Sequence, residues 1–269
     1  MSPVIAGLPS IFLYLVGATL ALMRIRAPSQ DAHRSVLLAA IAAAALCHGG
    51  LLWILGGAQG QLNLGFFYML SAAAWLAVVM VLAGTFVRPV LNLGLILFPM
   101  AALCVSLQLM WGVKVVVLRE LGWQINVHAA LSVLAFALLS VAAAQAVIIL
   151  LQDRALRGAS GLRIFNNLPP LQRMEQLLFQ VIFMGFLLLT LALVSGMLFV
   201  EDMLAQHLIH KTVLSICAWI VFGLLLWGRW KFGWRGRTAV RLTLAGGAAL
   251  LLAYFGSKLV LELILKRVA

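Results

Sequence analysis

The chain has 269 residues, of which 65% are hydrophobic and only 10% are charged, and its mean hydropathy is +1.13. A soluble domain usually carries about a quarter charged residues, so this composition excludes a soluble globular protein and predicts an integral membrane protein. The formal net charge of +12 does not indicate nucleic-acid binding, because the basic residues lie in short segments between apolar runs, the distribution that orients membrane proteins.

The apolar runs predict about eight membrane-spanning helices in an all-α, polytopic bundle that forms a single transmembrane domain over residues 1–269. The predicted spans lie near residues 4–23, 36–56, 64–84, 89–110, 128–151, 176–199, 212–228 and 239–262. Pro89 and Pro99 make the fourth span the one most open to interruption. The first span has no charged residue before Arg24 and is expected to be retained, since a cleavable signal peptide begins with a basic region.

The segments between the spans predict the orientation. One side of the membrane would receive 13 basic residues: Arg24, Arg26, Arg34, Arg88, Arg154, Arg157, Arg163, Arg173, Arg229, Lys231, Arg235, Arg237 and Arg241. The other side would receive six: Lys114, Arg119, Lys211, Lys258, Lys266 and Arg267. The richer side faces inward by the positive-inside rule, so both termini are predicted to face outside.

Two connecting segments are long enough for their composition to predict their structure. The predicted outer segment 111–127 combines Trp111 and Trp123 with apolar runs, which favours a position along the membrane interface. The predicted inner segment 152–175 contains Gly158, Gly161 and the pair Pro169–Pro170, which favours a mostly irregular loop.

The three cysteines do not indicate a redox or zinc centre. Cys47, Cys104 and Cys217 each lie inside an apolar run, and no CxxC pair is present. They are therefore predicted to be small buried hydrophobic residues.

Three of the five histidines are candidate functional residues. His128 opens the predicted fifth span and His210 opens the seventh, both at the outer surface. His48 lies about twelve residues into the second span, which corresponds to about 18 Å along a core of about 30 Å. An ionisable side chain inside a span is costly and is by default a functional hypothesis. His33, in an inner segment, is expected to be solvated, and His207 either supports His210 or has no role.

Neutral imidazole is a common ligand for metals and for haem iron, and two histidines on neighbouring helices can hold one iron between them. His128, His48 and His210 are therefore candidate metal ligands. The alternatives are that His48 is hydrogen-bonded across helices, and that the other two anchor helix ends at the interface. We find no carboxylate in the middle of a span, no nucleophile with a matching base and no phosphate-binding loop, so an enzyme is the less favoured interpretation.

Three passages carry a resemblance to a known family. They are VHAALSVLAFALLSVAAAQAVIILLQDRAL, NLPPLQRMEQLLFQVIFMGFLLLTLALVSGMLF and HKTVLSICAWIVFGLLLWGRWKFGWRGRTAVRLTLAGGAALLLAYFG. They resemble the cytochrome c assembly family typified by CcsA and CcmC, and within it the short YpjD/HemX-like inner-membrane branch. Lys211, Trp219 and the turn Gly233–Trp234–Arg235–Gly236 occupy matching positions. The resemblance covers residues 120–257 well and the first four spans loosely.

The resemblance implies a multi-pass protein of the bacterial inner (plasma) membrane that handles haem on its outer side, with haem and other maturation proteins as partners. His128 matches the first outward haem-binding histidine of the family. His48 or His210 would then supply a second ligand, and Trp111 and Trp123 would line the site. Three family features are absent: the tryptophan-rich outer segment, the in-membrane histidine at the position of Trp227, and a histidine after the last span.

A second hypothesis comes from a different class of protein. The chain would be a permease-like or scaffolding membrane subunit without haem, and its histidines would be structural. Its partner would be another membrane protein that docks on the basic, tryptophan-rich segment 229–241.

Overall fold

A computed structural model describes residues 3–26, 32–57, 63, 65–88, 90–111, 122–158, 165, 167–199 and 209–256. Every regular element of more than one residue in these ranges is helical. The helices are α1 (Pro3–Arg26), α2 (Ala32–Leu52), α3 (Phe66–Gly84), α4 (Gly94–Trp111), α5 (Trp123–Leu156), α6 (Leu171–Phe199), α7 (Ile209–Phe232) and α8 (Arg237–Leu251). Short π-helical turns extend α2 (Trp53–Gly57) and α8 (Leu252–Gly256), and a 3-10 turn (Leu91–Leu93) precedes α4.

Seven of the described helices, α1 to α7, are long and apolar enough to cross a membrane. This confirms the prediction of an all-α, polytopic membrane protein. Helix α8 has 15 residues, and residues 257–269, in which the eighth predicted span ends, lie outside the described ranges. Helix α4 runs without a break across Pro99, in keeping with the tolerance of proline in membrane helices, and Pro89 lies outside the described ranges.

Two helices extend beyond the predicted spans. Helix α5 begins at Trp123 rather than near residue 128, so His128 lies inside the helix and not at its first residue. It also continues to Leu156, and α6 begins at Leu171, so helix occupies both ends of the segment expected to be irregular. The residues concerned (WQINV, QDRAL and LQRME) contain no glycine or proline, so the backbone can remain helical beyond the apolar core.

The described chain groups into two compact units. Unit 1 consists of Met1–Arg119 and Leu151–Pro170, and unit 2 consists of Glu120–Leu150 and Leu171–Ala269. The single transmembrane domain expected over residues 1–269 stays a prediction.

Unit 1 is a ring of four helices in which α1 packs against α2 and α4, and α3 packs against the same two neighbours. Tyr14, Ile41 and Phe98 are buried at its centre among alanine, leucine and valine side chains. The segment after α5 is tied to this ring, because the Asn167 side chain donates a hydrogen bond of 3.0 Å to the Ile25 carbonyl at the end of α1.

Unit 2 is built around the antiparallel pair α5 and α6. At one end Trp123 contacts Phe199, with ring centroids 6.1 Å apart, and at the other end the Gln145 amide donates to the Met174 carbonyl at 2.7 Å. Between them Gly185 faces Leu139 so closely that a Cβ on the glycine would lie 2.6 Å from a Leu139 methyl carbon. Glycine therefore allows the close approach of the two helices that brings the side chains of α5 onto the backbone of α6. Helix α7 packs against α6, and α8 packs against α7.

Candidate functional site

His128 lies in α5 of unit 2, a little over one turn from the first residue of the helix. Its Nδ1 is 3.0 Å from the Ala192 carbonyl oxygen and 3.1 Å from Ser195 Oγ, both on α6. The Ser195 hydroxyl also donates to the Ala192 carbonyl, at 2.9 Å. One carbonyl oxygen thus accepts hydrogen bonds from both side chains, and the imidazole ring is held by one edge.

This contact fixes the tautomer of His128. A carbonyl oxygen can only accept, so Nδ1 must carry the proton, and in a neutral imidazole Nε2 then carries a lone pair. No residue in the described part of the chain hydrogen-bonds that Nε2. A histidine with Nδ1–H on a backbone carbonyl and Nε2 open is the arrangement in which proteins usually present imidazole to a metal.

His48 lies in α2 of unit 1 and has a different environment. Its Nδ1 is 3.1 Å from the Tyr14 hydroxyl of α1, and its Nε2 is 2.7 Å from the Ser71 hydroxyl of α3. All three side chains are fully buried. One ring nitrogen donates and the other accepts, so a neutral imidazole satisfies both contacts and links three helices. Coordination of a metal by His48 would require one of these hydrogen bonds to break.

The two candidate tryptophans lie in different units, as His48 and His128 do. Trp123 belongs to unit 2, is 67% exposed, and lies at the end of α5 that also carries His128. Trp111 ends α4 in unit 1 and stacks on Phe67, with ring centroids 6.2 Å apart. Of the two, Trp123 therefore shares a helix end with His128.

The side chains of the other three histidines lie outside the described residues. His210 is in the first turn of α7, but its side chain lies outside the described residues, as does that of His33. The whole of His207 lies outside them. Among the described residues, no three or more histidine, cysteine, aspartate or glutamate side chains converge as a metal site.

Sequence reasoning missed the residues that hold the two histidines, namely Tyr14, Ser71 and Ser195. Each is a polar residue within an otherwise apolar span, and such residues need a hydrogen-bond partner in the membrane. That requirement identifies them as candidates for pairing, but the sequence does not specify their partners.

Glu175 was also missed, because it lies just before the predicted sixth span. It is 93% buried in α6, and its Oε1 accepts the Gly236 N–H at 2.8 Å. Gly236 has a φ of +60° and belongs to the Gly233–Trp234–Arg235–Gly236 turn, so the glutamate fixes a turn conformation that favours glycine. Trp219 links α7 to α6, since its indole N–H donates to Thr190 Oγ1 at 2.9 Å and its ring stacks on Phe186.

Comparisons with known proteins identify related chains. The chain is 40% identical over 138 residues to the inner membrane protein YpjD of Escherichia coli K12, a match that covers 51% of this chain and 52% of that protein. It is 30% identical over 104 residues to the cytochrome c biogenesis protein CcsA of Prochlorococcus marinus MIT 9313, covering 38% of this chain and 33% of the relative. The chain thus matches about half the length of the first relative and a third of the second. No solved structure matches it significantly.

The family model described as cytochrome c assembly protein matches residues 34–265. This range contains helices α3 to α8, nearly all of α2, and both His48 and His128. The chain therefore belongs to the cytochrome c assembly protein family.

Proposed function

We propose that this protein binds haem in the bacterial inner membrane and takes part in cytochrome c maturation, and that Nε2 of His128 would hold the haem iron. The observation that carries the proposal is the hydrogen bond from His128 Nδ1–H to the Ala192 carbonyl. Family membership supports the maturation role, and a relative named as an inner membrane protein supports the location.

The residues around His128 fit a haem group. The ring is partly buried and fixed at Nδ1, so little side-chain freedom is lost when Nε2 coordinates. Trp123 and Phe199, at the same helix ends, offer apolar rings against which a porphyrin can pack. When bound, haem would supply the iron, and His128 would hold it through Nε2. No proton transfer or bond cleavage by a side chain is needed, and we propose a carrier rather than an enzyme.

We propose that His210 would be the second histidine to hold the haem. Helix α5 begins and α6 ends at one end of their antiparallel pair, and α7 begins ten residues after α6 ends, at Ile209. His210 thus starts its helix at the end of unit 2 where His128 lies. His48 is proposed to be structural, since both of its ring nitrogens are already hydrogen-bonded within unit 1.

We further propose that His128 faces the outer side. The count of 13 basic residues against six in the connecting segments supports this orientation. Labelling of single introduced cysteines from outside intact cells would test it. A cysteine at Gln124 should react with an impermeant maleimide, and one at Thr238 should not; the reverse pattern would contradict the orientation.

The main test is a spectrum of the full-length protein purified in detergent. We expect a Soret band in the wild type, or its appearance after titration with haem, and its loss in His128→Gly. Free imidazole should restore the band in His128→Gly, because it can occupy the vacated ligand position. His33→Ala is the matched control and should retain the band. A wild-type protein that neither carries nor takes up haem would overturn the proposal.

The scaffolding hypothesis accounts for His48 more fully than for His128. In that hypothesis the histidines act as helix-linking groups, which fits an imidazole hydrogen-bonded at both nitrogens. His128 links α5 to α6 through Nδ1, and haem binding is the hypothesis that also gives its Nε2 a role. For this reason the haem-binding function is the one we propose.

A further inference from the structure

A second surface of unit 2 is both strongly basic and aromatic. We call residues 229–241, at the junction of α7 and α8, the basic turn. It contains five basic residues and no acidic one: Arg229, Lys231, Arg235, Arg237 and Arg241. Lys231, Arg235 and Arg241 are exposed, and no carboxylate in the described part of the chain lies within ion-pair distance of them. This leaves a concentrated positive charge to be neutralised from outside the described protein.

Aromatic rings lie among these cations. Trp230 is 83% exposed and Phe232 59% exposed. Phe232 packs against Trp227 with ring centroids 5.4 Å apart, and on its other side it stacks with Trp234 at 6.1 Å. Exposed rings next to cations suit a partner that has both an anionic and an apolar part.

The shape of the basic turn is fixed by contacts within unit 2. Arg229 Nη1 donates to the Trp234 carbonyl at 3.2 Å, and its guanidinium lies 4.7 Å from the centre of the Phe179 ring. The Glu175 carboxylate accepts the Gly236 N–H, as described above. The exposed cations are therefore presented by an ordered backbone, which reduces the entropy lost when a ligand binds.

An exposed apolar stripe on α7 leads to this turn. It consists of residues three or four apart, which lie on one face of a helix. They are Val213, Ile216, Ile220, Leu224 and Trp227, each 42–51% exposed. A molecule whose hydrocarbon chains follow the stripe would carry its headgroup to the cations.

From this arrangement we propose that the basic turn is a binding surface for anionic phospholipids. The guanidinium groups of Arg235 and Arg241 would contact the lipid phosphate, and the acyl chains would lie along the stripe on α7. An acidic protein segment would satisfy the cations but would not account for the stripe. The proposal is independent of haem binding, because among the described residues no hydrogen bond or ring contact joins the basic turn or the stripe to His128, Ala192 or Ser195.

Native mass spectrometry of the full-length protein can test this. Phosphatidylglycerol and phosphatidylcholine with the same acyl chains would be added at equal concentration. We expect the wild type to retain phosphatidylglycerol preferentially, and R235Q/R241Q to bind it about 25-fold more weakly, since each of the two basic residues near an anionic surface contributes about fivefold. R235K/R241K should preserve the preference, because it keeps the charge.

The matched control is R34Q/R88Q, which removes the same charge from exposed positions of unit 1. It should bind phosphatidylglycerol like the wild type. Equal retention of the two lipids by the wild type would overturn the proposal, as would an equal loss in the control. If R235Q/R241Q kept its lipid preference but lost a copurifying acidic protein, the surface would be a protein-docking site instead. An unchanged unfolding midpoint would show that the variants are folded.

Discussion

His48 and His128 differ in burial and in hydrogen bonding, although both are histidines within helices of a membrane protein. His48 in unit 1 is fully buried, and both of its ring nitrogens contact hydroxyl groups on other helices. His128 in unit 2 is partly buried, and its described contacts all involve Nδ1. The difference lies in hydrogen bonding: both ring nitrogens of His48 are hydrogen-bonded within the protein, whereas Nε2 of His128 retains its lone pair.

The partners explain why the two centres differ. Hydroxyl groups can donate or accept, so Tyr14 and Ser71 can satisfy either tautomer of His48. The Ala192 carbonyl can only accept, so it imposes one tautomer on His128 and directs the lone pair to Nε2. The Ala192 carbonyl thus leaves His128 with a ring nitrogen that can bind a metal, whereas the hydroxyl groups of Tyr14 and Ser71 let His48 link three helices. Three substitutions are expected to separate the two histidines, with effects that decrease in size.

The largest effect is expected for His48→Ala. The substitution leaves the Tyr14 and Ser71 hydroxyl groups without their partner and opens a cavity between α1, α2 and α3, which should lower the free energy of unfolding by about 2–3 kcal/mol. Chemical or thermal unfolding in detergent would measure this. His128→Ala is the control and should lose less than about 1 kcal/mol, because its side chain is only partly buried. Equal losses in the two variants would remove the distinction between the centres.

A smaller effect is expected for Tyr14→Phe. The ring remains and can still stack on Phe98, whereas the hydrogen bond to His48 Nδ1 is lost. The free energy of unfolding should fall by about 1 kcal/mol, and haem binding should not change. Tyr68→Phe, which removes a weaker 3.3 Å hydrogen bond to the Leu52 carbonyl, is a matched control with a smaller expected loss. A change in the haem spectrum of Tyr14→Phe would link unit 1 to the site and contradict the assignment of His48.

The smallest effect is expected for Ser195→Ala. Haem affinity should fall by about threefold to fivefold, well short of the tenfold or greater loss common when an outer partner of a metal ligand is removed, because the Ala192 carbonyl still accepts the Nδ1–H. Titration with haem would give the affinity, and Ser106→Ala in α4, whose hydroxyl also contacts a helix carbonyl, is the control. A loss as large as that of His128→Gly would mean that the serine, rather than the carbonyl, holds the imidazole.

Much of this protein follows from its sequence alone. The apolar runs determine that the chain crosses a membrane in helices, because an unpaired backbone group in hydrocarbon is too costly for any other open structure. The passages around Glu175 and the turn at Gly233–Gly236 were sufficient to indicate the family. His128 was identified as a candidate because it opens a predicted span at the outer surface and matches the first outward haem-binding histidine of the family that the sequence resembles.

Tertiary structure decided what each histidine can do. The bounds of α5 placed His128 inside the helix, and the close approach at Gly185 brought that helix onto α6, so that a backbone carbonyl became its partner. A carbonyl carries no sequence signature, and the hydroxyl groups that hold His48 lie 34 and 23 residues away from it along the chain. The hydrogen-bond partners of each histidine depend on which groups lie close in space, and helix packing, rather than the order of residues along the chain, determines which groups those are.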